Sequence, residues 1–209
     1  ELGLALAKQD VQSLSQAYRV LDHFATGLGY DACYLMDSDG NTIASSNRSR
    51  KDSFVGKNYA FRPYFKSSIR GEPDVYLAVG VTSGQRGLYF SHPVYLAHSN
   101  KVEGVAVIKA SVDRLEKEML QPENGLCLLV HRSGMIFASN APNRVLQFLW
   151  ESRPEELAHI AATQQFGKGP WQWAGLRRSG GNQVTDTNGH LYRLSELRLE
   201  NCPGWRTVY

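Results

Sequence analysis

The sequence predicts an α+β protein, a long N-terminal helix followed by two similar units, each an antiparallel sheet flanked by helices. Three observations carry this. The opening segment spaces its apolar residues alternately by three and four. A strand-turn-strand unit occurs twice. The remaining segments are rich in β-branched and aromatic residues bounded by Gly, Ser or Asn.

In the opening segment, Leu4, Ala7, Val11, Leu14, Tyr18, Leu21, Ala25 and Leu28 form a heptad-like stripe. Lys8, Gln9, Asp10, Gln12, Ser13, Gln16 and Arg19 lie between them as a polar far face. Gly27 and Gly29 end the helix, because glycine takes the left-handed C-cap conformation readily. Such a stripe suits packing on the helix's own domain. It equally suits a homodimer seam on a helix that continues up from a membrane span, and the two uses are compatible.

A strand over Ala32 to Met36 runs into the turn Asp37-Ser38-Asp39-Gly40, and a second strand covers Thr42 to Ser45. The segment Cys127 to Asn140 repeats the pattern: Cys33 matches Cys127, Gly40 matches Gly134, Ala44 matches Ala138 and Ser45 matches Ser139, all at one offset. Equivalent positions in two copies of a buried strand do not face each other, so Cys33 and Cys127 read as small core residues and not as a disulfide.

Between the hairpins, Pro63 to Ile69 is expected as a short helix, since proline is welcome in a first turn. Strands are expected over Val75 to Val81, Leu88 to Leu96 and Glu103 to Ser111, then a connecting helix over Asp113 to Leu120. After the second hairpin the pattern predicts helix across Arg144 to Phe166. Strands follow near Trp171 to Leu176, Gln183 to Thr187, Leu191 to Leu199 and Trp205 to Tyr209. The domain division expected is 1–30 for the helix, 31–120 for the first lobe and 121–209 for the second.

Composition narrows the function. The net charge of +3 comes from scattered lysines and arginines, so no concentrated basic face for nucleic acid is expected. No stretch approaches the ~18 to 20 apolar residues that cross a bilayer, and the chain reads as a piece cut from a longer protein. There is no Gly-x-Ser-x-Gly elbow, Walker loop, His-Glu-x-x-His or Gly-x-Gly-x-x-Gly. The six histidines are dispersed without metal-ligand spacing, so neither an enzyme nor a metal or other cofactor is called for.

Chemistry concentrates in three places. Arg62 sits amid Phe54, Tyr59, Phe61, Tyr64, Phe65 and Tyr76, where a planar guanidinium fork can grip a carboxylate and tyrosines supply donors from an apolar wall. The same arrangement also serves plain packing. Thr82 and Ser83 end a strand before Gly84 and Gly87, and Tyr89 and Ser91 alternate on the returning strand; these hydroxyls could meet a carboxylate or simply form a turn. Lys109 interrupts the apolar strand Val105 to Ala110. Burying an uncompensated charge costs several kcal/mol, so it either reaches out at an edge or meets an anion, and no acidic residue is its evident mate.

The runs Asn58-Tyr59-Ala60-Phe61-Arg62-Pro63-Tyr64-Phe65 and Thr82-Ser83-Gly84, with Gly104 to Leu115, resemble the periplasmic double-Cache (double PDC, PAS-like) domain of the dicarboxylate sensor histidine kinases. The resemblance is collinear from Leu21 to about Leu115; the second lobe matches mainly by its hairpin. It implies two tandem PAS-like (Cache) lobes, a membrane-distal one that holds ligand and a membrane-proximal one that relays the signal. By motif position, Tyr59 and Arg62 would clasp one carboxylate. Thr82, Ser83 and Lys109 would hold the polar remainder, with Tyr64, Tyr89 and Ser91 lining the pocket. Related amino-acid sensors carry aspartate at the position of Lys109, and a cation there suits a second carboxylate. The expectation is the extracytoplasmic part of a bacterial inner-membrane receptor, most simply a two-component histidine kinase. It would be membrane-anchored in its full length, homodimeric through the N-terminal helix and responsive to a small organic acid such as succinate or malate. The alternative is the same fold sensing another small acid or an amino acid for a diguanylate cyclase or chemoreceptor.

Overall fold

The computed structural model describes residues 1–96, 100–118, 125–200 and 202–209. Its contacts divide the chain into two units, Glu1–Ser111 and Val112–Tyr209.

The first unit opens with two helices, α1 (Leu2–Lys8) and α2 (Val11–Leu28), where one had been expected. Gln9 takes a left-handed φ of 49°. Asp10 then caps α2, its carboxylate accepting from the Ser13 amide at 2.7 Å while the Ser13 hydroxyl donates back to the Asp10 carbonyl at 3.1 Å. The cap at Asp10, lying inside the stripe, makes the break tolerable, because it satisfies an amide that a continuous helix would satisfy internally. Gly29 closes α2 in the left-handed region, as expected. Ala17 and Leu21 are buried and Leu14, Tyr18 and Ala25 pack beside them, but Val11 is 87% exposed.

The sheet of this unit is antiparallel in the order β2-β1-β5-β4-β3. Its strands are β1 (Ala32–Asp37), β2 (Thr42–Ser45), β3 (Asp74–Val79), β4 (Arg86–Tyr95) and β5 (Val102–Ser111), with the short helix α3 (Pro63–Ser68) between β2 and β3. The two faces follow the two-residue period of a strand. Cys33 and Leu35 pack with Ala106 and Ile108 under the helices. Ala32, Tyr34 and Met36 pack with Val105, Val107, Ala78 and Tyr89 on the opposite face, against Phe54, Tyr59, Tyr64 and Phe65. Covered on both faces, β1 is apolar without alternation, as central strands are. Lys109 follows Val105 and Val107 onto that second face.

The duplicated hairpin is geometric as well as sequential. In β1 and β2, Tyr34 pairs with Ser45, Leu35 with Ala44 and Met36 with Thr42. In β6 (Leu128–His131) and β7 (Ile136–Ser139), Leu128 pairs with Ser139, Leu129 with Ala138 and Val130 with Ile136, and the register shifts at the corresponding step. The Cys33 amide donates to the Ser46 hydroxyl at 2.9 Å, and the Cys127 amide to the Asn140 side-chain oxygen at 2.8 Å. Both cysteines are free and buried.

The second unit begins with α4 (Val112–Glu118); Met119 and Leu120, also expected in this helix, lie outside the described residues. A 3-10 turn (Pro142–Arg144) and α5 (Pro154–Thr163) follow the hairpin. The helix expected across Arg144 to Phe166 is thus confined to ten residues. Phe148 instead bridges to Met135 and Trp173, burying its ring between extended segments. Trp171 to Leu176 forms no strand beyond that one bridge, since Gly175 turns with φ 78°. The strands are β8 (Arg177–Gly180), β9 (Gln183–Thr185), β10 (Leu191–Arg193), β11 (Glu196–Arg198) and β12 (Trp205–Val208). They make a sheet β11-β12-β6-β7 and a separate ribbon β10-β9-β8, so the strand expected over Leu191 to Leu199 splits between two sheets. The fold is α+β with two PAS-like lobes, as the sequence predicts.

Gly40 ties the first hairpin to the segment that carries Arg62. Its φ is +82°, and a Cβ there would stand 2.6 Å from the Ala60 nitrogen and 2.7 Å from its Cα. The Gly40 carbonyl accepts from the Tyr59 amide at 2.9 Å. Gly40→Ala is expected to lower unfolding free energy by about 2–4 kcal/mol, combining left-handed strain with a backbone clash. Urea unfolding followed by tryptophan fluorescence measures this.

Candidate ligand-binding site

The site lies on the face of the five-stranded sheet opposite α1 and α2. Arg62 occupies the N-cap position of α3 in extended backbone, with Pro63 at the first helical position setting the turn. Its amide donates to the Tyr59 carbonyl at 3.0 Å, which draws the preceding loop under the helix. Arg62 is 3% exposed, and its guanidinium donates to the Val79 carbonyl at 2.9 Å and stands 5.1 Å from the Phe61 ring centre and 5.9 Å from that of Tyr76. Arginine is well suited here, because its planar fork can stack on rings and keep donors for an anion.

Around it stands a wall of tyrosines. Tyr34 and Tyr64 share a hydrogen bond between hydroxyls at 2.9 Å, and Tyr64 stacks on Tyr89 at 5.5 Å between centroids. The Tyr59 and Thr82 hydroxyls lie 2.7 Å apart. Tyr34, Phe54, Tyr59, Arg62, Tyr64, Gly80, Val81, Thr82 and Tyr89 enclose a cavity of about 10 Å³, room for roughly one water molecule.

Lys109 is 4% exposed, and its strand partner across the β4–β5 ladder is Tyr89. Its ammonium donates to the Ser83 hydroxyl at 3.2 Å. The side chain runs over Gly87, where a Cβ would meet its Cε at 2.8 Å. Gly80 makes similar room, since a Cβ there would stand 2.6 Å from the Ser83 hydroxyl oxygen and 2.8 Å from that of Tyr89. At both positions a side chain would crowd these groups, while the backbone itself is ordinary.

Two expectations need correction. Lys109 does have an acidic mate: Asp31 Oδ2 is 3.6 Å from its ammonium. Asp31 immediately precedes β1, and the pairing of Ala32 with Lys109 brings it alongside. That register joins residues far apart in the chain, which is why the sequence hid the pair. Ser91 faces the same side but does not line the cavity. Its hydroxyl lies 2.8 Å from the Ser68 hydroxyl and donates to the carbonyls of Tyr64 and Asp74, fastening α3 to the sheet.

Of the other expected residues, Tyr59, Arg62, Tyr64, Thr82 and Tyr89 come together around the cavity, and Ser83 and Lys109 meet beside it. Sequence reasoning missed Tyr34, which lies unremarked inside the expected strand Ala32 to Met36, and Gly80, whose role appears only once Ser83 and Tyr89 are placed.

Comparison with known proteins gives a consistent likeness. No family model matches the chain. It is 33% identical over 122 residues, 54% of its length, to the C4-dicarboxylate transport sensor protein DctB of Pseudomonas aeruginosa. It is 31% identical over 166 residues, 79% of its length, to the protein of the same name from Rhizobium meliloti. These matches span 20% and 26% of the two relatives, so the chain corresponds to about a quarter of such proteins or less. The sensor domain of the Vibrio cholerae histidine kinase DctB superposes with a TM-score of 0.90 and 29% identity, covering 99% of this chain and 82% of that one. The ligand-binding domain of the Pseudomonas fluorescens chemoreceptor CtaA, solved with L-serine, shares the fold at a TM-score of 0.64 and 16% identity, covering 99% of this chain and 82% of that one. The chain is a periplasmic sensor domain of the double-Cache, PAS-like kind, resembling those of the dicarboxylate sensor histidine kinases. No helix among the described residues is long and apolar enough to cross a membrane.

Burial holds the phenols of Tyr34, Tyr64 and Tyr89 neutral, well above the ordinary tyrosine range. In the unfolded chain they ionise first, so the stability they lend is complete below about pH 10 and is lost as pH rises beyond it. Guanidinium unfolding midpoints are expected to fall steeply above about pH 10, and less steeply in Tyr89→Phe.

Proposed function

We propose that this sensor domain is the sensing part of a bacterial transmembrane receptor, a two-component sensor histidine kinase. Its first unit would bind a small dicarboxylate such as succinate or malate with Arg62 at one end and Lys109 at the other. The observation that carries the reading is two buried cationic side chains on one face of a single sheet, flanked by hydroxyls. One carboxylate meets the Arg62 fork with the Tyr59 and Thr82 hydroxyls at hand, and the second meets the Lys109 ammonium beside Ser83. Tyr64 and Tyr89 form the wall, and Ser91 acts through α3.

A cavity of about 10 Å³ is far smaller than a four-carbon diacid. Ligand therefore selects an arrangement in which the segment 80–85 or α3 stands further from the sheet, and the shift between the two arrangements is the signal. Leu4, Val11 and Leu28 remain exposed on α1 and α2, available for a homodimer contact in the membrane-anchored receptor. A second reading, an amino acid feeding a chemoreceptor or a diguanylate cyclase, has one observation in its favour: Asp31 offers a carboxylate to an ammonium group.

Isothermal titration calorimetry with succinate, malate, fumarate, acetate and a panel of amino acids separates the readings. Arg62→Ala is expected to weaken succinate binding about 100-fold or more, with an unchanged far-ultraviolet circular dichroism spectrum. Lys109→Asp should weaken dicarboxylates far more than acetate. Binding of amino acids in preference to any diacid would favour the second reading, and no binding by any of these compounds would contradict both.

A further inference from the structure

Lys109 already holds an anion. Asp31 Oδ2 lies 3.6 Å from the ammonium, too long for a hydrogen bond, and the side chains are 35% and 5% exposed respectively. The Asp31 amide donates to the Lys109 carbonyl at 2.9 Å, so the two backbones are locked while the two head groups are only loosely engaged. Among the described residues no hydrogen-bond donor satisfies the Asp31 carboxylate. Charge-assisted pairs are strong at about 2.7–2.9 Å, so this contact leaves much of the available interaction unused. The Asp31 charge also reaches the Tyr89 phenol, which feels Arg62 as well, and so the carboxylate stands at the edge of the tyrosine-lined site.

We propose that Asp31 is a built-in competitor for the second carboxylate of the ligand: it neutralises Lys109 in the empty site and is displaced when a dicarboxylate binds. This rests on the reading of Lys109 as a ligand-binding cation. The exchange is chemically symmetrical, one carboxylate for another, so an empty site never holds an isolated buried charge. Displacement costs Asp31 little, because its side chain already reaches water. A monocarboxylate held at Arg62 has no second group to offer Lys109 and leaves the pair intact. Asp31 therefore sets both affinity and the preference for diacids. It also sits where α2 joins β1, after Tyr30, whose amide still bonds the Ala25 carbonyl at 2.9 Å, so the exchange takes place at the end of the long helix.

The test is calorimetry on Asp31→Asn beside the parent. Removing the competing charge at nearly constant volume is expected to tighten succinate binding about tenfold and to leave acetate unchanged within about twofold. Equal or weaker succinate binding by Asp31→Asn, with the parent binding normally, would overturn the inference and spare the assignment of the site. Failure of both proteins to bind any dicarboxylate would remove that assignment and the inference with it. If Asp31→Asn does not fold, carbonyl-labelled aspartate resonances of the parent decide the matter. Saturating succinate should move the Asp31 signal to that of a solvated carboxylate, and an unmoved signal contradicts the displacement.

Discussion

An ammonium group on the buried face of a sheet needs an anion close by, and much of the first unit is arranged around that requirement. Lys109 follows Val105 and Val107 along β5, so the period of the strand delivers a charge to an otherwise apolar layer. Leaving it unpaired would cost several kcal/mol. The chain meets the demand with Asp31 from the neighbouring strand's entrance and the Ser83 hydroxyl from the β3–β4 turn. Gly87 and Gly80 give up side chains so that the lysine stem and the two hydroxyls fit.

Arg62 answers the same constraint differently. Its guanidinium donates to the Val79 carbonyl, hydrogen-bonds the Tyr76 side chain and stands near the rings of Phe61 and Tyr76. On the proposed reading, two cations at one sheet face, both buried and flanked by hydroxyls, make the site that an anionic ligand would enter. In the proposed mechanism the small cavity belongs to the closed arrangement. Recognition and movement would then be one event, which is what a sensor requires and a rigid binding protein does not.

The parts of this picture that were legible in the sequence are local. The turn Asp37 to Gly40, the Pro63 start of α3 and the 58–65 motif depend on neighbours a few residues away, and each stands where expected. The duplicated hairpin was legible because Ala-Ser ends and turn glycines recur in register. The Asp31–Lys109 pair was not, because it exists only through the register of β1 on β5. The break at Gln9 and Asp10 was overlooked because apolar spacing outvoted a good cap. In the second unit, β8 is Arg-Arg-Ser-Gly and wholly exposed, so neither alternation nor hydrophobicity marks it as a strand. Strands of that kind are defined by their partners, not by their own residues.

A crystal structure of the domain grown with succinate tests the central claim most directly. The expected map has one carboxylate on the Arg62 guanidinium, the other on the Lys109 ammonium, and Asp31 turned toward solvent. Diacid density elsewhere on the molecule, with Lys109 still paired to Asp31 and the tyrosine-lined cavity closed, would contradict it.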